Sequence, residues 1–308
     1  MNDAYYTTTG ERPDLASIEV NPPEGYIADK IMPVAPVMDK SGTIYYATVK
    51  ADAAAQTSRS AGSAPTATQI SDSSTTFTAA EYVKRAGIVP DEAKQMGGIE
   101  KADVVGSKWA KRQTMNALES AVATIVTGGA KDYTFDSTKF LTQSQTALQA
   151  VRLYSGASTL VGATTTLKAL VQSLLADTTY GPVLSRIVSG SSPAVAAEGL
   201  SLDSWLGALK IFLGIDQVLA GDDAVWGAGD NAEKVAIMKL DNSGDELSHK
   251  WNPVFGKTFM FMPDGTQPYV IQSIADRVNV NNLYDAYIWF NCVELNSGAM
   301  KLFDGVAA

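Results

Sequence analysis

Residues 21–37 read NPPEGYIADKIMPVAPV. Pro22 and Pro23 open the stretch, Pro33 and Pro36 punctuate its end, and a short apolar run lies between them. Proline fixes φ, lacks an N–H and turns the preceding residue away from helix. The spacing therefore predicts an extended, stiffened arm with no helix and no regular place in the chain's own sheet. Ile27, Ile31, Met32, Val34 and Val37 follow neither a helical nor a strict strand period, yet they are too clustered for idle exposure. Such an arm must lie against a surface that satisfies its backbone and its apolar side chains. Two surfaces qualify: the chain's own domain, or a neighbouring subunit.

Outward from the arm, Gly42 marks a turn, and Ile44, Tyr45, Tyr46, Thr48 and Val49 favour a strand. Half of the 24 positions from 57 to 80 are Ser or Thr, with Gly62 and Pro65 suited to a loop tip. Phe77, Tyr82 and Val83 then mark a returning limb. Residues 42–90 thus read either as a long hairpin standing off the body or as a low-complexity insert. From about 98 to 127 an apolar stripe follows helical spacing: Ala102, Val105, Trp109, Met115, Leu118, Val122 and Ile125. Gly128 and Gly129 end it. A helix of that extent is about 40 Å long and more than twice the common length, a spine for a flat subunit.

Downstream, helices are expected within 136–156, 164–176 and 202–213, the last with Trp205, Leu206, Leu209 and Leu213 on its apolar face. Strands are expected at 158–162, 215–221, 232–240 and 257–262, and two more lie between 269 and 296, the last densely aromatic around Trp289. Helices and strands mix without a βαβ rhythm, so the class is α+β. Trp109, Leu118, Val122, Trp205, Leu209 and Trp289 are the expected core.

The 308 residues are 45% hydrophobic and 19% charged, with a net charge of −9 and no Lys/Arg run. That balance argues against a sequence-reading nucleic-acid binder. No apolar stretch is long enough to span a membrane, and the opening MNDAYYTTTG lacks the marks of a secretory leader. The single cysteine, Cys292, allows no intrachain disulfide and is expected as a buried, inert thiol.

No glycine-rich phosphate cradle is present. The single histidine, His249, cannot build a zinc site with only Cys292 to help, and no nucleophile motif makes it a catalytic base. It is expected to be a solvated or hydrogen-bonded loop residue. The adjacent Asp222 and Asp223 would point apart, and residues 241–246 lack calcium-loop spacing. Glu100 and Glu119 are expected on a charged outer face of the spine. Lys108, Lys111 and Arg112 either face an inner surface or form subunit salt bridges. No catalytic residue, cofactor or metal is assigned, and the chain is read as no enzyme. Arms and hairpins are costly to order in a monomer and offset that cost on neighbours, which points to symmetric self-assembly.

The order of elements resembles the major capsid (coat) protein of tailed bacteriophages, the Johnson fold. Tyr26, Ile27, Ala28, Asp29, Lys30, Ile31, Pro33, Val34, Pro36 and Val37 are similar to that family's arm-ending motif, of the type IADKVFPVVPV. IYYATVK enters what the family calls its extended loop, and EYVKRAGIVPDEA leads from it to the spine. LVGATTTLKAL, WLGALKIFLGIDQVLAGDDAVW and the closing YVIQSIADRVNVNNLYDAYIWFNCVEL resemble later parts of the fold. The resemblance implies an arm at 1–41, an extended hairpin at 42–95, a peripheral domain with the spine at 96–157, an axial domain at 158–268, and closing strands of the peripheral domain at 269–308. It implies neighbour contacts through Tyr26, Ile27, Ile31, Met32, Val34, Val37, Phe77 and Tyr82. It further implies an icosahedral virion shell of pentamers and hexamers, self-assembled in the host bacterial cytoplasm around double-stranded DNA that is touched non-specifically. Expected partners are many copies of the chain, with a separate scaffolding protein, a portal and a decoration protein as candidates, and no membrane. A cellular nanocompartment shell of the same fold, a phage tube or tail protein, and an enzyme with an unusual site are the alternatives.

Overall fold

The computed structural model describes residues 6–48, 72–189, 202–262, 268–276 and 281–306. In chain order the strands are β1 (Tyr6–Glu11), β2 (Val34–Val37), β3 (Ser41–Ala47), β4 (Asp72–Thr78), β5 (Ala80–Ile88), β6 (Tyr133–Thr134), β7 (Ala157–Ala163), β8 (Gln217–Gly221), β9 (Val235–Leu240), β10 (Gly256–Phe261), β11 (Val270–Asp276), β12 (Asn281–Glu294) and β13 (Met300–Asp304). The helices are α1 (Pro13–Ala16), α2 (Ala28–Ile31), α3 (Pro90–Gln95), α4 (Ile99–Thr127), α5 (Phe140–Val151), α6 (Thr164–Ala176), α7 (Gly181–Ser189), α8 (Leu202–Leu213) and α9 (Asp223–Trp226).

The 14-residue β12 organises the larger sheet. One of its edges pairs with β5; the other pairs with β11 along its first half and β10 along its second, so the sheet runs β1-β11-β12-β10-β2 with β5 alongside. Tyr284, Ala286, Ile288 and Phe290 alternate along β12 and are buried, the period-two signature of one covered face. The spine α4 covers it. Helix and sheet approach closely because α4 presents Ala102, Gly106 and Ala110 there, all buried. A Cβ added at Gly106 would lie 2.3 Å from the Tyr284 ring.

The second sheet runs β6-β13-β9-β7-β8. Over it lie α5 to α8, whose apolar positions Phe140, Leu167, Leu170, Leu174, Leu184 and Leu209 meet Leu160, Ile237 and Phe303 of the strands. A further core joins the C-terminal half of the spine, through Leu118, Val122 and Val126, to strands of both sheets. β3 and β4 form a separate antiparallel hairpin, Ser41 opposite Thr78 through Ala47 opposite Asp72. Ile44 and Phe77 seat its root on Ala35 and Phe259.

Several expectations change. The arm contains one helical turn, α2, ahead of Pro33, and β2 does join the chain's own sheet, in parallel with β10 and with Pro36 opposite Met260. Proline fits there because β2 ends the sheet and its missing N–H breaks no central ladder. The spine spans its expected range, but its first half is out of phase with expectation: Trp109 and Val105 are exposed, at 50% and 45%. The small residues, not the large ones, mark the buried face. Leu118, Val122 and Leu209 are buried core, whereas Trp205 and Trp289 are only half-buried. Helix α7 was not anticipated; Pro182 stands in its first turn, where proline is tolerated.

The sheets also cross the expected division at residue 268. β10 lies in the larger sheet, and β13 leaves the closing strands to pair with β9. The expected polar hairpin tip, the loop at 189–199 beyond Ser189 and most of the turn at 263–268 lie outside the described residues.

Leu209 is fully buried beneath the α8 face. Leu209→Ala should lower unfolding free energy by about 2–5 kcal/mol in denaturant titration; a change below about 0.5 kcal/mol would contradict this packing.

Candidate functional site

A single carboxylate ties the arm to the spine. Glu119 lies in the second half of α4 and is 2% exposed. Its oxygens accept hydrogen bonds from the Ile27 N–H (3.1 and 3.2 Å), the Ala28 N–H (2.8 Å) and the Trp226 indole N–H (2.5 Å). Trp226 ends α9, where the Asp222 side chain caps the helix by accepting from Ala224 N–H. The Asp222 N–H in turn donates to Gly25 O at 3.2 Å. Burial pushes the Glu119 carboxyl up; the Trp226, Ala28 and Ile27 donors pull it down, and the charge of Asp29 pushes it up again. Tyr26 donates its hydroxyl to Asp29 at 2.8 Å.

A cation on the same helix holds the preceding segment. Lys111 is 1% exposed, and its Nζ donates to Ala16 O at 2.7 Å and Ile18 O at 2.8 Å. Burial, with help from Lys108, lowers its pKa to about 8. Lys111 is therefore satisfied by backbone carbonyls of the N-terminal segment, and Glu119 by that segment's N–H groups together with the Trp226 indole, rather than by ions at the surface. This corrects the outer-face expectation for Glu119 and the inner-surface or subunit-bridge expectation for Lys111.

Ile27, Ile31 and Met32, expected against a neighbour, are buried in the chain's own core, and Tyr26, Val34 and Tyr82 pack on it half-buried. Side chains with no exposed surface in the subunit cannot also be its docking face. Tyr82 stacks on Phe290 at 4.2 Å, Phe77 stacks on Phe259 at 5.4 Å, and Val37 packs on that second cluster.

What the subunit leaves open is the other side of the spine. Trp109, Val105 and Ile99 stand exposed along α4, and Val89 is exposed just before α3. A cavity of about 550 Å³ on one side of Trp109 is lined by Glu19, Val20, Asn21, Lys108 and Arg112. A second, of about 230 Å³, lies between Trp109, Val105, Met96 and the β5 residues Arg85 to Ile88. Exposed Lys108 and Arg112 flank this apolar centre. Aromatic and Arg side chains at the heart of an apolar patch are what protein interfaces enrich. Met38 and Tyr45 at the hairpin are also exposed.

Among the described residues no group of three or more His, Cys, Asp or Glu is placed to hold a metal ion, and no helix is long and apolar enough to cross a membrane. Asp223 accepts from the Thr165 N–H and hydroxyl at 2.8 and 2.9 Å. Burial pushes the Cys292 thiol up to about 11. His249 is not solvated: it is buried in the turn Ser248–Lys250.

Glu119→Ala strips three enclosed donors of their acceptor, and each such loss costs about 1–3 kcal/mol. Thermal or chemical unfolding of the isolated subunit should reveal a loss of about 3 kcal/mol or more, and truncation of residues 1–30 should unfold the subunit itself. A truncated chain as stable as the parent would show that the strap is dispensable.

No family model matches the chain, and no curated protein matches it. Solved structures do. A crystal structure of a phage-related protein from Bordetella bronchiseptica RB50 is 16% identical, with 98% of this chain and 99% of that one covered at a TM-score of 0.68. The capsid structure of cyanophage P-SCSP1u matches 95% of this chain and 91% of its own at 10% identity and TM-score 0.54. The SrpI encapsulin complex from Synechococcus elongatus PCC 7942 matches 96% and 94% at 9% identity and TM-score 0.51. These likenesses establish an α+β, capsid-like (HK97-type) fold.

Proposed function

We propose that the chain is the repeated subunit of a closed icosahedral shell, the major capsid protein of a tailed bacteriophage virion. The observation that carries this reading is coverage: the shared fold takes in 98% of this chain and 99% of the phage-related protein. A fold hosts many functions, so the open face of the spine is the second support. An apolar patch centred on Trp109 and flanked by Lys108 and Arg112 is costly to leave in water and suits burial against other copies of an acidic chain.

In this reading pentamers and hexamers assemble in the host bacterial cytoplasm, and a scaffolding protein, portal and decoration protein are the further partners. The shell encloses double-stranded DNA. A net charge of −9 opposes tight phosphate binding, so the wall touches the duplex without gripping it. The likeness to the encapsulin complex supports a second reading, a nanocompartment shell; particles that carry a cargo enzyme and no DNA would favour it.

Electron microscopy and sedimentation of the purified chain test the proposal, and closed shells are the expected result. Trp109→Glu should fold with an unchanged melting temperature, because its side chain is half outside the subunit, yet raise the concentration needed for assembly at least about tenfold. Normal shells from that variant at the parental concentration would remove the Trp109 face from the interface. A parent chain that stays monomeric under all assembly conditions would overturn the function.

A further inference from the structure

We propose that His249 is an acid-sensitive latch for the root of the β3–β4 hairpin. It is the chain's single histidine, and it is 3% exposed in the turn between β9 and β10. Its ring stands edge-on to Phe259, with centroids 5.6 Å apart at 87°. Phe259 stacks in turn on Phe77 of β4 at 5.4 Å. β3 packs against the same turn, and its Ile44 shares the Phe77–Phe259 cluster. The turn that carries the imidazole thus packs on the hairpin, and the ring reaches the Phe77–Phe259 stack through Phe259.

The cations around it favour the neutral ring. Lys257 of β10 is buried, with its Nζ 2.9 Å from Asp241 and donating to Asp245 O at 3.1 Å. Asp241 already accepts from Lys257, the Ser248 hydroxyl and the Ser243 N–H. Lys250 adds a second cation on the turn itself, and β3 contributes only Tyr45 and Tyr46, no carboxylate. Among the described residues the His249 Nδ1 has no hydrogen-bond partner. A proton placed on this ring creates an enclosed cation beside Lys257 with the nearby carboxylate committed. The ring must then leave Phe259 for water, and the Phe259–Phe77 stack loses its outer wall. Burial and the charges of Lys257 and Lys250 pull the His249 pKa down and outweigh a hydrogen bond with the Glu246 backbone and the charge of Asp241, which push it up.

The folded value lies below the unfolded one, so the unfolded or opened chain binds the extra proton. The latch's contribution is complete above about pH 6.5 and is lost as pH falls toward the lower folded value. Asp241 acts in a separate window. Burial pushes it up, but hydrogen bonds from Ser243, Ser248 and Lys257 outweigh that and hold it at about 2. Its contribution is therefore lost only below its ordinary 3.8.

Amide hydrogen exchange of the full chain at about pH 7.5 and about pH 5.5, corrected for intrinsic rates, tests the latch. In the parent, amides of β3 and β4 should lose several-fold protection at the lower pH, up to a limit of about tenfold for a single imidazole, while β7 and β9 keep theirs. His249→Gln and the better-packed His249→Phe should abolish that loss; the second variant serves if the first does not fold. Equal loss in a folded variant, no loss in the parent, or loss spread evenly over both sheets overturns the proposal. The parent's one imidazole NMR signal gives a check that needs no variant: titration at or above about 6.5 would mean the ring charges without cost, and the latch fails.

Discussion

A carboxylate buried in the spine is tolerable only if its charge is met by donors, because an ion taken out of water without them costs several kcal/mol. Glu119 meets that demand with the backbone N–H groups of Ile27 and Ala28 and the indole of Trp226. Each donor belongs to a different part of the molecule from the helix that carries the acceptor. The N-terminal segment must therefore run along the spine, and α9 must present its tryptophan to the same point. Once these are in place, Ile27, Ile31 and Met32 fall into the core between the sheets, and Pro33 releases the chain into β2. The larger sheet then gains its end strand beside β10.

Much of this architecture was legible in the sequence, because strands and helices advertise themselves through period. The spine, the α8 stripe around Leu209, the strand pair β11–β12 and the hairpin limbs β3 and β4 all carry local signals of that kind. The phase of the spine's first half was not legible from apolar residues alone. Ala102, Gly106 and Ala110 repeat every fourth position, and that small-residue period marked the face that nestles against Tyr284. Trp109 lies off that stripe and is left outside.

Glu119 was illegible for a different reason. Its partners lie 91, 92 and 107 positions away in sequence, and no local pattern distinguishes a glutamate that will be enclosed from one on a wet face. The same holds for Lys111, whose acceptors are carbonyls of residues 16 and 18, and for His249, whose turn looks polar until Phe259 and Lys257 close over it. Buried ionisable residues are decided by tertiary partners, so sequence polarity gives the wrong sign for them. The prolines of the arm misled in the opposite direction. They exclude a central strand and a long helix, but a single turn followed by a sheet-end strand satisfies both restrictions.

The placement of charge also bears on how such a subunit can associate. Lys111, Glu119, Lys257 and Asp285 are enclosed, and each is matched within the subunit: Lys111 by backbone carbonyls, Glu119 by backbone N–H groups and the Trp226 indole, Lys257 by Asp241 and a carbonyl, and Asp285 by two 2.6 Å hydrogen bonds from Arg85. None of these is left over for a neighbour. In the proposed shell, contacts between copies would be made by what the fold leaves outside, and on the spine that is a tryptophan with Lys108 and Arg112 beside it. On a chain of net charge −9, copies repel one another at long range. In the proposed shell, an apolar patch with Lys108 and Arg112 beside it, and Glu19 and Glu92 at its edges, would let them attract where complementary surfaces meet, and the excess negative charge elsewhere would disfavour other encounters. In such a shell that combination would select a particular geometry of approach, as assembly from many identical subunits requires.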